Sequence, residues 1–234
     1  MVASKKIGFI GGGNMGEALI KGLLQSGRFD ASRIRVSDIS QGQLHHLRDT
    51  YQVSISADNG ELAGASDVIV LAVKPQQVVN VLAETHASLE HLPLLISIAA
   101  GVPITSLEQK LAKPVPVVRI MPNTPALVLT GVSAIAGGTH TTSEHLAVAR
   151  ALFEAVGVVV EVDETHMDAV TGLSGSGPAY VYLFVEALID AGVLMGLSRP
   201  VARELAVQTT LGAAKLLAES GEHPGALKDQ ITSP

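Results

Sequence analysis

No cysteine occurs among the 234 residues, which excludes disulfides, thiolate nucleophiles and cysteine-based metal sites. Charge is scarce too: only 16% of residues are Asp, Glu, Lys or Arg, well below the usual share, and the balance is −6. No basic stripe runs along the chain, so a nucleic acid has little electrostatic hold on it. The eight histidines contain no H-E-x-x-H and no clear ligand cluster, and no metal is expected. Two lysines precede the first apolar run as in a signal peptide, but that run is too short and ends in glycines, Asn14 and Glu17. The expected setting is the cytoplasm. What the chain has is aliphatic bulk: 47% of it is hydrophobic, more than a monomer of one or two domains needs to bury. That surplus points to an oligomer.

The opening residues are the most informative. Ile7, Phe9 and Ile10 form an apolar run of strand length, and Gly11, Gly13 and Gly16 follow at the spacing G-x-G-x-x-G. An amphipathic helix pattern then begins, with Ala18, Leu19, Gly22 and Leu23 on one face. Strand, tight turn and helix in that order make a diphosphate cradle. Gly11 takes the sharp turn, Gly13 keeps a Cβ away from the phosphates, and Gly16 lets the helix lie close on the strand. The helix N-terminus supplies free N–H donors and a positive dipole end. A phosphate loop of the Walker type is excluded, because Glu17-Ala18 stands where Lys-Ser/Thr is required.

Further along, strands and helices alternate. Ile34–Asp38 reads as a strand ending in a carboxylate about twenty residues past Gly16, where dinucleotide folds place an acid against the adenosine ribose. Asp38 therefore leans toward NAD, and its removal is expected to shift preference toward NADPH. Ser37 can donate to a phosphate and Arg35 is near, so the cofactor choice stays open. Asp38 can equally cap a helix starting near Gln41. Residues 43–51 read as a helix, 53–55 as a strand, 59–63 as a short helix and 67–73 as a strand covered on both faces. Val78, Val79 and Leu82 mark a helix. A strand follows from Leu94, then a helix from about Ile104 to Leu111, and a strand from Val115 to Ile120. Two further strands, 131–137 and 158–160, flank a helix from about Ser143 to Val156. The pattern predicts an open, mostly parallel sheet with helices on both faces, and ligands outside the strands' carboxyl ends. Lys74 is the one cation among those ends.

Beyond Pro178 no strand pattern occurs. Long helices are expected over 179–197 and 201–220, with a third beginning at 224–231. Ser198 is placed to cap the second of these, and Pro200 fits its first turn. The first is apolar nearly all round, but Glu186 and Asp190 in its middle argue for a helix buried between subunits over a membrane span. The division falls between a dinucleotide-binding domain, 1–162, and a helical domain, 163–234.

These residues carry a family resemblance. Gly8-Phe9-Ile10-Gly11 through Asn14-Met15-Gly16, Ala72-Val73-Lys74-Pro75, Ile98-Ala99-Ala100-Gly101, Met121-Pro122-Asn123-Thr124-Pro125, the run Asp168 to Tyr180, and His223-Pro224-Gly225-Ala226-Leu227-Lys228-Asp229 occur in order along the whole chain. Together the chain resembles pyrroline-5-carboxylate reductase. The resemblance implies reduction of the cyclic imine 1-pyrroline-5-carboxylate to L-proline by hydride from NADPH or NADH. It also implies a Rossmann-type N-terminal domain and a helical domain that pairs subunits into dimers, often assembled into decamers. Cofactor contacts carried over are Gly11, Gly12, Gly13, Asn14, Met15, Gly16, Ser37, Asp38, Asn59, Val73, Lys74, Ala100 and Met121. Asn123, Glu164, Ser176 and Ser233 would lie near the substrate. The family pattern continues past Ser233-Pro234 with glycines and threonines that bind the substrate carboxylate and contact its ring nitrogen, so part of the substrate site is expected beyond the given residues. No catalytic residue is assigned.

Other patterns carry less. Gly172-Leu173-Ser174-Gly175-Ser176 lacks the final glycine of a nucleophile elbow; the expectation there is a flexible turn with Ser176 capping the first long helix and Pro178 in its first turn. Tyr180 and Tyr182 are assigned to packing. Two rival readings are a β-hydroxyacid-type dehydrogenase, for which Lys215 is the mid-helix candidate, and a non-catalytic dinucleotide-binding sensor.

Overall fold

The computed structural model describes residues 4–232. Its first half alternates β1 (Ile7–Ile10), α1 (Asn14–Gln25), β2 (Ile34–Ser37), α2 (Gln41–Tyr51), β3 (Ser54–Ser56), α3 (Asn59–Gly64) and β4 (Val68–Leu71). There follow α4 (Val78–Thr85), β5 (Leu94–Ser97), α5 (Ile104–Glu108), β6 (Val117–Met121), β7 (Gly131–Gly137), α6 (Ser143–Phe153), β8 (Gly157–Glu161) and α7 (Met167–Val170). The remainder is helical: α8 (Gly177–Leu194), α9 (Arg199–Ser220) and α10 (Pro224–Ile231).

The eight strands form one sheet in the order β3-β2-β1-β4-β5-β6-β7-β8. β1 lies centrally, with Ile7 beside Ile34 on one side and Val68 on the other, all parallel. Strand order reverses on either side of β1, which opens a crevice at the carboxyl ends of β1 and β4. β7 turns back antiparallel to β6, with Met121 opposite Ala134, and β8 runs parallel to β7. The link between β6 and β7 holds only a short 3-10 turn, Thr124–Val128, too little for the crossover that a parallel return requires. The sheet is thus α/β and mostly parallel, as the alternation of strand and helix patterns predicts; the reversal of the last two strands is a finding of the structure.

Period-two burial explains why these aliphatic runs are strands. Ile7, Phe9, Val68, Val70, Leu94 and Ile96 join one buried cluster, and Ile10, Ile69, Leu71 and Leu95 join another on the opposite face. Several boundaries shift from expectation. β6 begins at Val117 because Pro116 has no N–H for the ladder, although its carbonyl accepts from Leu95 N. α5 stops at Glu108, where i→i+3 bonds to Lys110 and Leu111 tighten the chain into a turn.

One expectation is overturned at 171–176. Ser176 does not cap a helix: it has helical angles (φ −86°, ψ −17°), and its N–H donates to Thr171 O at 2.8 Å across a π-helical turn, Thr171–Gly175. The hydroxyls of Thr171 and Ser174 bond back to the carbonyls of Met167 and Val170, which favours the widened turn over a clean cap. At Ser198 the backbone has cap geometry and Pro200 lies in the first turn of α9, but no side-chain capping bond forms.

The chain divides between Ser176 and Gly177 into two compact units. Residues before the break belong to the sheet unit: Met167 is fully buried in its core, with Val170 packed against it. In the second unit, α8 and α9 pair closely where Gly192 meets Ala202, and Asp190 accepts from Arg199 at 2.9 Å. α8 has no buried residue within the chain, and Tyr180, Leu183 and Phe184 are 60%, 68% and 58% exposed. One helix among the described residues is long and apolar enough to cross a membrane. It carries Glu186 and Asp190, which a bilayer interior would penalise.

Candidate cofactor site

Gly11 has φ +102°, a left-handed angle, and its N–H donates to Ser37 O at 2.8 Å. A Cβ there would lie 2.6 Å from Ala72 O, and a Cβ on Gly16 would lie 2.5 Å from Gly11 O. Both glycines are therefore required by backbone packing. Gly13 differs: it holds the N-cap position of α1 at φ −66° and ψ −173°, and nothing lies within 4 Å of where its Cβ would be. No side chain caps α1, so its first-turn N–H groups, at Asn14 and Met15, are left to other acceptors. An uncapped helix start beside open space is suited to an anion.

The loop is braced from behind. Gly12 N–H donates to Asp38 Oδ2 at 2.7 Å, and Ser40 N–H to Asp38 Oδ1 at 2.8 Å. The cap of α2 is Ser40, whose hydroxyl accepts from Gln43 N, so the alternative role for Asp38 as that helix's cap is excluded. Gln43 Nε2 donates to Gly12 O at 2.7 Å and to Glu17 Oε2 at 3.1 Å. Glu17 Oε1 also accepts from Tyr51 OH at 3.0 Å and pairs with His46 Nε2 at 2.9 Å. Burial pushes the Glu17 carboxyl up, but the bonds from His46, Gln43 and Tyr51 together outweigh it and hold the group below its ordinary value. Burial and the Glu17 carboxylate push the Tyr51 hydroxyl the other way.

Beside the loop, at the carboxyl ends of β1, β2 and β4, opens a cavity of about 480 Å³. Gly11, Ser37, Asp38, Asn59 and Val73 line it, five of the residues singled out from sequence. Ser37 Oγ donates to Asn59 Oδ1 and Asn59 Nδ2 to Glu84 Oε2, both at 2.6 Å. Open space over Gly13, an uncapped helix start and a carboxylate at the end of β2 together fit a dinucleotide. A larger hollow of about 570 Å³ lies elsewhere, lined by Glu161, Asp163 and Glu164 with Gly137 and Gly138. Its carboxylates oppose an anionic ligand.

The other expected residues fall into three groups. Lys74 and Ala100 are exposed at strand ends, Lys74 opening a turn whose Gln77 N–H bonds to its carbonyl, and Lys74 is not part of the cavity wall. Asn123 is almost fully buried: its Oδ1 accepts from Val132 N and its Nδ2 donates to Ser174 O, which ties the loop after β6 to the π-helical turn. Met121 sits there too, its methyl against Gly175. Glu164 is spoken for by the N–H of Ile104 at 2.6 Å and by buried Arg119 at 3.1 Å. Arg35 turns to Glu61 at 3.0 Å. Lys215 is 70% exposed and faces Glu219 at 3.8 Å. Ser233 lies outside the described residues.

Sequence reading missed Gln77, Asn80 and Glu84, which bring α4 to the cavity. Their spacing was the available signal: they form a polar stripe at i, i+3 and i+7, while Val78, Val81, Leu82 and Thr85 are buried. It missed Gln43 as well, for which no local pattern gives notice.

Residues 164–234 match the family model described as pyrroline-5-carboxylate reductase dimerisation, and residues 6–101 match the one described as NADP oxidoreductase, coenzyme F420-dependent. The pyrroline-5-carboxylate reductase of Methanosarcina acetivorans is 46% identical over 231 residues, covering 99% of this chain and 86% of its own. Among solved structures, the enzyme of that name from Coxiella burnetii superposes with a TM-score of 0.94 at 37% identity, over 99% of this chain and 86% of the other. That of Plasmodium falciparum, solved with NADP bound, gives 0.89 at 36% identity, again over 99% and 86%. With such identity along nearly its whole length, the chain belongs to the pyrroline-5-carboxylate reductase family.

Proposed function

We propose that the protein reduces 1-pyrroline-5-carboxylate to L-proline with NADH or NADPH. The observation that carries this reading is the open glycine loop at the uncapped start of α1, joined to the Asp38 cavity, in a chain whose relatives bear that activity as their name. Asn14 and Met15 N–H groups would hold the diphosphate, with Gly13 giving access, and Asp38, Ser37 and Asn59 the adenosine ribose. Val73, Lys74, Ala100 and Met121 would border the path toward the nicotinamide. When bound, the nicotinamide supplies a hydride to the imine carbon. The protonated imine is already electrophilic, so the protein's task is to place the two carbons together and exclude water. That is consistent with there being no evident acid–base dyad among the described residues near the loop.

At the substrate end the loop after β6 matters most. Asn123 spends its side chain bracing that loop, so its contribution is to loop shape. Ser176, Glu164 and Ser233 are proposed to lie along the same border, Glu164 acting through Arg119 and the start of α5. The functional division is 1–162 for cofactor binding and 163–234 for pairing. Chains pair through the helical domain, supported by its match to a dimerisation family and by the bare apolar surface of α8. Dimers assembled further into a decamer, working in the cytoplasm, complete the reading.

The test is spectrophotometric: nicotinamide absorbance is followed with 1-pyrroline-5-carboxylate, against a panel of hydroxy and keto acids. Turnover of the imine alone is expected. Turnover only of a hydroxy or keto acid would replace this reading with the dehydrogenase one, and tight dinucleotide binding with no turnover of any substrate would leave a sensor.

A further inference from the structure

The Ser37–Asn59–Glu84 chain has a direction, and Glu84 sets it. An ionised carboxylate only accepts hydrogen bonds, so at 2.6 Å from Glu84 Oε2 the Asn59 amide must present its nitrogen. Its oxygen then faces Ser37, and the single Ser37 hydroxyl hydrogen is committed to it, also at 2.6 Å. What Ser37 has left on the cavity floor is lone pairs. Asp38, beside it, is likewise acceptor only; Gly12 and Ser40 occupy one site on each of its oxygens and leave the others open.

The ribose end therefore offers acceptors from Ser37 and Asp38, plus the second Asn59 amide hydrogen. No Lys or Arg lines this cavity among the described residues, and Arg35 is paired with Glu61. A ribose hydroxyl can donate into such a site. A 2′-phosphate brings only acceptors and two negative charges, against two carboxylates, Asp38 and Glu84.

We propose that Glu84 is a specificity-determining positioning residue: through Asn59 it turns the Ser37 hydroxyl into an acceptor and biases the site toward NADH over NADPH. This rests on the dinucleotide reading of the cavity. Asp38 is the less informative probe, because its loss also frees Gly12 N–H and loosens the glycine loop. Glu84 touches neither the loop nor the nicotinamide end.

The test is calorimetric titration with NAD⁺ and NADP⁺ of the wild-type protein, Glu84→Gln and Ser37→Ala, with thermal unfolding as the folding control. Wild type is expected to bind NAD⁺ at least about tenfold tighter than NADP⁺, the order of discrimination that leaving one buried acceptor unpaired produces. Glu84→Gln lets the Asn59 amide turn over and frees the Ser37 hydrogen, so the gap is expected to narrow by roughly tenfold, chiefly through tighter NADP⁺. Ser37→Ala is expected to weaken NAD⁺ more than NADP⁺. A change in folding alone would move both ligands together. An unchanged ratio in Glu84→Gln, a wild type that prefers NADP⁺, or a Ser37→Ala that loses NADP⁺ selectively would each overturn the proposal. Binding of neither dinucleotide by the wild type would overturn the cofactor reading itself.

Discussion

Two glycines three residues apart should fail in opposite ways. A methyl on Gly13 meets nothing within 4 Å, and at φ −66° the backbone accepts any residue. Alanine is a poorer N-cap than glycine by about 0.5 kcal/mol, offset by a gain of about 0.4–1 kcal/mol from a less flexible unfolded chain. Gly13→Ala should therefore melt within a few degrees of wild type. Its methyl, however, fills the space a diphosphate would occupy over the helix start. Losing one hydrogen bond to a charged group costs about 1.5–3 kcal/mol, which is roughly 10- to 150-fold in Kd. On Gly16 the methyl would sit 2.5 Å from the Gly11 carbonyl oxygen, which cannot swing away as a side chain would. Overpacking of that kind costs about 1–3 kcal/mol of stability. Calorimetric titration with NAD⁺ or NADP⁺, alongside thermal unfolding, separates the two. A Gly13→Ala protein that binds both dinucleotides like wild type would show that the diphosphate does not lie over Gly13, and the site assignment would go with it.

Three further outcomes are expected. The Glu17 carboxyl is held below its ordinary value in the folded protein, so its ionised form contributes stability that is present above the unfolded value and lost as pH falls through the folded one. Unfolding free energy measured from pH 6 down to pH 3 should drop less steeply in Glu17→Gln; equal slopes would contradict the network around Gln43, His46 and Tyr51. Glu164→Gln strands the charge of Arg119, whose side chain is 7% exposed, and because Glu164 is 27% exposed the loss is put at about 2 kcal/mol, below the 3–5 kcal/mol of a fully buried pair. That corresponds to a fall of roughly 4–8 °C in Tm, and calorimetry showing no fall would mean that water reaches Arg119 freely. Phe184→Glu puts a charge on the bare face of α8 and should leave a monomer by sedimentation velocity where wild type is larger; an unchanged species would place the subunit contact elsewhere.

The fold was legible where residues are buried on both faces. Val68–Leu71 and Leu94–Ser97 can be little other than central parallel strands, and the glycine spacing announces the turn that joins β1 to α1. Reversal of β7 was not legible, since period-two burial is indifferent to strand direction; only the short link after β6 dictates it. The run of small residues from Thr171 to Gly175 reads as a break because glycine and serine favour turns. The structure keeps it helical by widening it one residue, a choice that depends on the carbonyls of Met167 and Val170 being within reach of two hydroxyls. Of the strand-end residues named from sequence, Gly11, Ser37, Asp38 and Val73 line the cavity because the topology fixes where their strands end, while Lys74 and Ala100 lie outside its wall. Gln43 and Glu84 were not legible as site residues, because each reaches the site from a helix whose packing angle no sequence pattern gives.

The two units also differ in how complete they are alone. The sheet unit buries its aliphatic residues on both faces within one chain, and its glycine loop is braced by its own side chains, Asp38 and Gln43. The helical unit buries almost nothing: among its described residues only Ala202 and Ala206 are enclosed, while Leu183, Phe184, Leu205 and Leu211 stand open. At about 25 cal/mol per Å² of apolar surface, covering such a face is worth more than any surface ion pair the unit has, including Asp190–Arg199. The sheet unit is therefore complete in a single chain, whereas α8 and α9 leave most of their apolar side chains uncovered. It follows that the sheet unit should hold its dinucleotide with the same affinity at any protein concentration, whereas stability of the helical unit should rise with concentration by mass action.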